Sequence, residues 1–242
     1  MSAEARPAFY ALRSGGWRDY VTLLHPPYTL WHLSYVAIGA AIAPGFTWAR
    51  LGLALGAFFL AVGVGAHALD ELMGRPLQTR IPRGTLIALA AVSIAGAVGL
   101  GVLGAIWYDP WLLAFVGFGG FIVAAYNLEL AGGRFHDTFW FALAWGAFPA
   151  LTAYFVTAER LRIEAFLVAA YAFLLSVAQR RLSTPVRTIR RKTRAISGTI
   201  EHADGTVERI DADTLIHAPE TALQLLAAAT TALALALVLV HV

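Results

Sequence analysis

Seven stretches of this chain are so long and apolar that hydrocarbon is their natural surrounding: about 28–45, 47–68, 84–106, 110–128, 138–157, 163–179 and 219–241. Roughly twenty apolar residues cross a bilayer, and in lipid every backbone polar group must be bonded within the protein. A chain of this pattern is therefore expected to be all-α, a polytopic membrane helix bundle of about seven transmembrane helices. Apolar residues make up 59% of the sequence and charged residues 14%, which excludes an ordinary soluble domain. No long linker precedes residue 180, so residues 1–242 are expected to form a single transmembrane domain.

The basic residues set an orientation. With the N-terminus in the cytoplasm, fifteen of the 18 Lys and Arg residues fall inside, and Arg50, Arg160 and Arg162 fall outside. The positive-inside rule then predicts a multi-pass protein of the cell membrane with its C-terminus outside. The polar loops 69–83, 129–137 and 180–218 would share the cytoplasmic face. The pI of about 9.4 follows from these loops lying beside anionic lipid. No basic and aromatic groove pattern accompanies it, so the expected partner is the membrane and not nucleic acid. The absence of cysteine excludes disulfides, thiolate metal sites and a Cys nucleophile. The first 27 residues lack a cleavage pattern and read as a retained cytoplasmic segment. His25, His32 and His241 have no evident partners in the sequence and read as packing or interfacial residues.

The insertion at about 180–218 differs in kind. Ser183-Thr184-Pro185 reads as an N-cap with Pro at the first helical position, opening an amphipathic surface helix with Arg187, Arg190, Arg191 and Arg194 outward. Gly198–His202 and Thr206–Ile210 flank Ala203-Asp204-Gly205 and predict a small β-hairpin. A lone hairpin is marginal in water. It is expected to rest on the bundle or on a second copy of itself, as in a homo-oligomer.

Three polar clusters converge at the cytoplasmic edge. His67, Asp70 and Glu71 lie three and four residues apart at a helix end, followed by Arg75 and Arg80. Tyr126, Asn127, Glu129, Arg134, His136 and Asp137 bracket the fourth and fifth spans. Gln179, Arg180, Arg181, Arg187, Arg190 and Arg191 follow the sixth. Carboxylates suit Mg2+ and arginines suit phosphate oxygens, a combination that a diphosphate-bearing lipid would need. In this reading Asp70 and Glu71 hold Mg2+ and are catalytic together with His67. Arg75, Arg80, Arg134, Arg180, Arg181 and Arg187 bind the substrate's diphosphate end, and Tyr126 and Asn127 position diphosphate or acceptor. The plainer alternatives are surface ion pairing for Asp70 and Glu71 and helix-to-helix bonding for Asn127.

At these clusters the chain resembles the UbiA superfamily of intramembrane prenyltransferases. Residues 24–84 look like the family's opening, closing on Arg80-Ile81-Pro82-Arg83-Gly84. Residues 125–157 look like its connection from the fourth to the fifth helix, and 180–194 stand where its second polar motif stands. The family's first motif is Asn-Asp-x-x-Asp-x-x-x-Asp. With His67 on the Asn, Ala68, Glu71 and Arg75 take the three Asp positions, with Asp70 a neighbouring substitute. The second motif has no acidic residue here, and seven spans replace the family's nine. The resemblance implies transfer of an isoprenoid chain from its diphosphate to a membrane acceptor with Mg2+. Two alternatives stay open: an isoprenoid cyclase or other lipid-modifying enzyme, and a degenerate member that binds a lipid or quinone or scaffolds a partner.

Overall fold

The computed structural model describes residues 6–242. The first five residues of the expected N-terminal cytoplasmic segment lie outside the described residues. The elements are α1 (Trp17–Leu23), α2 (Pro26–Ala41), α3 (Trp48–Leu72), α4 (Arg83–Trp107), α5 (Leu112–Asn127), α6 (Thr138–Ala158), α7 (Ile163–Lys192), β1 (Gly198–Glu201), β2 (Val207–Ile210) and α8 (Ala212–Leu239). The protein is a helical membrane bundle in which α3, α4, α6, α7 and α8 are long and apolar enough to cross a bilayer. The other two segments expected to span form α2 and α5, helices of 16 residues each.

Local chemistry sets the helix starts. The Thr47 and Asp137 side chains accept from the Arg50 and Trp140 amides at the heads of α3 and α6. At α8, Asp211 and Thr214 form a reciprocal capping box, and hydrogen bonding to Thr214 holds the Asp211 carboxyl below its usual range. Pro26 opens α2, where its missing N–H removes no helical bond.

Two helices carry π-wound stretches, Phe59–Ala66 in α3 and Leu143–Ala147 in α6. The second has a cause in the sequence. Pro149 has no N–H, so the carbonyl four residues earlier, on Trp145, lacks an α-helical donor.

The segment after the sixth span departs from expectation. Instead of a span and a separate surface helix, α7 runs unbroken for 30 residues with Pro185 inside it. Pro185 cannot donate to the Arg181 carbonyl, and just before it Thr184 Oγ1 donates to the Arg180 carbonyl at 2.6 Å and Ser183 Oγ to the same carbonyl at 3.3 Å. The arginines are not all outward. Arg190 Nε and Nη2 donate to both carboxylate oxygens of Glu220 on α8, at 2.6 and 2.8 Å, and Arg191 Nε donates to the Pro7 carbonyl at 3.1 Å. The hairpin forms in antiparallel register, Gly198 opposite Ile210 and Glu201 opposite Val207, with Gly205 in the left-handed region at the turn. Its strands are exposed, so this chain's bundle does not cover it.

Helix α2 is the hub, packed against α6 on one side and α8 on the other, with Trp31 and Tyr35 fully buried. Gly39 lets the α2 and α6 backbones touch, since a Cβ there would collide with the Ala150 carbonyl. Gly39→Ala is expected to lower stability by about 1–3 kcal/mol, the usual penalty for overpacking. Thermal unfolding in detergent measures it, and an unchanged midpoint would show that the contact relaxes freely.

Candidate binding site across the bundle

Three helices each run from an apolar chamber to a polar cavity. On α3, Val62 faces the chamber, while Ala66, His67 and Asp70 face the cavity. On α5, Val123 gives way to Tyr126 and Asn127, and on α6, Phe148 gives way to Phe141. Trp145 lines both spaces and stands between them. The chamber is about 100 Å³ and the cavity about 140 Å³. Beyond the chamber, Arg50 Nη1 donates to the Val156 and Thr157 carbonyls at 3.0 and 2.7 Å, tying the start of α3 to the end of α6.

The polar cavity is cationic. Arg180, Arg187 and Arg191 line it, with Asp70 and Glu220 as the acidic side chains among its described lining residues. Glu220 is committed to Arg190. Arg180 is held by aromatic faces and oxygens together. It donates through Nη1 to the Tyr126 hydroxyl, and its guanidinium stands 5.9 Å from the Tyr126 ring centre and 5.5 Å from that of Phe141. His136 stacks on Tyr126 at 4.3 Å, with its Nδ1 3.0 Å from the Tyr126 carbonyl.

The chain's own N-terminal segment closes the mouth. Pro7, Ala8, Phe9 and Tyr10 line the cavity, Ala8 and Ala11 pack on Leu77, and the Leu12 amide donates to Thr22 Oγ1 at 3.0 Å. Burial pushes the Tyr10 phenol well above its ordinary range, so it stays protonated, a donor and not an anion. His25 stacks on His67 with ring centres 4.0 Å apart. Burial, and then the neighbouring His67, hold the His25 imidazole well below its ordinary value, so it is neutral at pH 7.

The structure separates the residues singled out in the sequence. His67, Asp70, Tyr126, Asn127, Arg180 and Arg187 share the cavity. Glu71 does not join Asp70. It is 1% exposed, and its carboxylate accepts from the Leu77 amide at 3.0 Å, the Thr79 amide at 2.9 Å and the Thr79 hydroxyl at 2.8 Å, folding loop 73–82 around itself. Arg75 donates to the Thr79 and Ile81 carbonyls at 2.7 and 2.9 Å in the same loop. Arg80, Arg134 and Arg181 are exposed and lie outside the cavity lining. Asn127 also bonds within its own helix, its Nδ2 donating to the Val123 carbonyl at 2.7 Å.

Each histidine set aside for want of partners has one. Besides the His25 stack, His32 Nδ1 lies 2.8 Å from the Trp145 carbonyl, and His241 Nε2 lies 2.8 Å from the Ala41 carbonyl. His25, Tyr28 and His32 all line the cavity, and their spacing of three and four residues at the start of the first span was the available signal. Arg191 and Glu220 also line it. Among the described residues, no group of three or more His, Cys, Asp or Glu side chains is placed to hold a metal ion. No protein-family model, curated protein or solved structure matches the chain.

Proposed function

We propose that this chain is a divergent intramembrane prenyltransferase of the UbiA type, moving an isoprenoid chain from its diphosphate to an acceptor in the cell membrane. The observation that supports this reading best is the meeting of a cationic cavity and an apolar chamber at Trp145, a shape that matches a ligand with an anionic head and a hydrocarbon tail. We place the cavity on the cytoplasmic side on the strength of the arginine bias, with the seven apolar helices forming a UbiA-like bundle.

In this mechanism Arg180, Arg187 and Arg191 hold the diphosphate, and the tail passes Trp145 into the chamber. The reacting carbon then sits among Tyr126, Phe141 and Trp145, whose ring faces stabilise the positive charge that develops as its bond to diphosphate oxygen breaks. The electron pair leaves with pyrophosphate, which the arginines neutralise. The residues present do not supply the paired carboxylates of the Mg2+ expectation, because Glu71 is bonded into its loop and Asp70 stands alone of the pair in the cavity. No step is therefore routed through a metal.

A second reading, a UbiA-like protein that holds a lipid or quinone or scaffolds a partner, draws on the commitment of Glu71 and on the N-terminal segment lying across the mouth. The test is pyrophosphate release by the protein in lipid nanodiscs, supplied with geranyl, farnesyl or geranylgeranyl diphosphate and a panel of aromatic and lipid acceptors. Acceptor-dependent release supports transfer. Binding without release favours the second reading, and release with a hydrocarbon product but no acceptor points to a cyclase.

A further inference from the structure

Helix α6 contains a break that α2 repairs. Pro149 cannot donate to the Trp145 carbonyl, and His32 of α2 fills that position with Nδ1 at 2.8 Å. A carbonyl can only accept, so Nδ1 carries the hydrogen and the neutral ring keeps its lone pair on Nε2. Among the described residues Nε2 has no hydrogen-bond partner, and it is not among the buried polar atoms sealed from space. His32 itself lines the polar cavity while being 4% exposed overall.

The place matters as much as the tautomer. The His32 ring centre is 6.0 Å from that of Phe141, which lies 6.2 Å from Tyr126, 5.9 Å from Trp145 and 5.5 Å from the Arg180 guanidinium. These rings cluster about Trp145, the residue that lines both the polar cavity and the apolar chamber. His67 and His136 also direct Nδ1 at carbonyls, of Gly63 and Tyr126. One face of His67 is covered by His25, and His136 lies at the outer edge, 4.0 Å from Glu129.

We propose that His32 is the general base of this site: its Nε2 takes the proton of an acceptor hydroxyl at the passage beside Trp145. The inference rests on the transfer reading and adds the acceptor's chemical class, a hydroxyl-bearing ring or lipid. The acceptor's O–H bond breaks and the proton goes to Nε2. The acceptor forms its new bond to the isoprenoid carbon, whose bond to diphosphate breaks, with the electron pair leaving on pyrophosphate. The Trp145 carbonyl then faces an N–H on an imidazolium, a stronger bond than before, so the latch that fixes the tautomer also stabilises the charged ring.

Nitrogen-15 NMR of histidine-labelled protein in nanodiscs reads the tautomer without any reaction. Expected is an unprotonated Nε2 signal for His32, absent in His32→Asn, that shifts on adding 1-naphthol and not on adding 1-methoxynaphthalene. In His32→Asn the side-chain amide keeps a donor for the Trp145 carbonyl but removes the base. Geranyl diphosphate binding should hold, while acceptor-dependent pyrophosphate release falls about 10²–10⁴-fold. A protonated Nε2, an equal response to both naphthalenes, or a variant as active as wild type would overturn the assignment. Wild-type protein that releases no pyrophosphate with any acceptor defeats the transfer reading and the base role built on it. In that case the naphthol response still decides whether Nε2 holds a hydroxyl.

Discussion

Glu71→Ala is expected to destabilise the protein by on the order of 3–5 kcal/mol, among the largest effects of any single truncation. The substitution removes an acceptor of three hydrogen bonds and leaves the Leu77 and Thr79 amides buried without partners. Loop 73–82 should lose its fold and become open to protease. Glu71→Gln retains one acceptor oxygen but turns an NH2 toward those donors, so it should fall between. Asp70→Asn, at the neighbouring position, should leave thermal stability nearly unchanged and alter ligand binding instead. Unfolding midpoints in detergent and limited proteolysis measure both. A Glu71→Ala protein as stable and protease-resistant as wild type, but unable to bind a diphosphate, would return Glu71 to the binding site.

The other large effect concerns the cationic cavity. Arg187→Gln combined with Arg191→Gln should weaken binding of geranyl diphosphate about 10²–10⁴-fold while changing that of geraniol little. Each charge-assisted contact contributes about 1–3 kcal/mol, and every 1.4 kcal/mol is a factor of ten. Arg190→Gln offers the contrast. It leaves the Glu220 carboxylate without its bidentate partner between α7 and α8, so stability should drop while the preference for diphosphate over alcohol persists. Equal losses of geraniol and geranyl diphosphate in the double variant would mean that the two arginines shape the fold and do not bind the head.

Much of this architecture was legible in the sequence. Apolar runs located five of the seven helices within about four residues, while the helix from Ile163 runs on to Lys192 and the last begins at Ala212; the Asp-Gly turn located the hairpin, and His67, Asp70, Tyr126, Asn127, Arg180 and Arg187 share one cavity. What was hidden depended on directions that spacing does not carry. Adjacent residues on a helix point about 100° apart, and spacing alone does not say that Asp70 turns to the cavity while Glu71 turns to the Leu77 and Thr79 donors of loop 73–82. Pro185 reads as a helix start because Ser183 and Thr184, whose hydroxyls bond back to the Arg180 carbonyl inside α7, are also the residue types that signal a cap. Arg190 and Arg191 sit side by side in the sequence, yet one meets a carboxylate and the other the N-terminal segment. The polar stripe of His25, Tyr28 and His32 rests on three- and four-residue spacing at the start of α2, where each histidine taken alone has no partner in the sequence.

The meeting of Pro7–Tyr10 with α7 and of Arg190 with Glu220 has a consequence for biosynthesis. The wall of the cavity is assembled from residues more than two hundred positions apart, and α2 packs against α8, which is made well after it. Contacts so distant in the chain form late. Until α8 enters the bilayer, a nascent chain presents the α2 surface around Trp31 to lipid and carries Arg190 without its counter-ion. The compartment is thus completed only once α8 is inserted, and a chain halted before that step displays an exposed helix face and an unneutralised arginine.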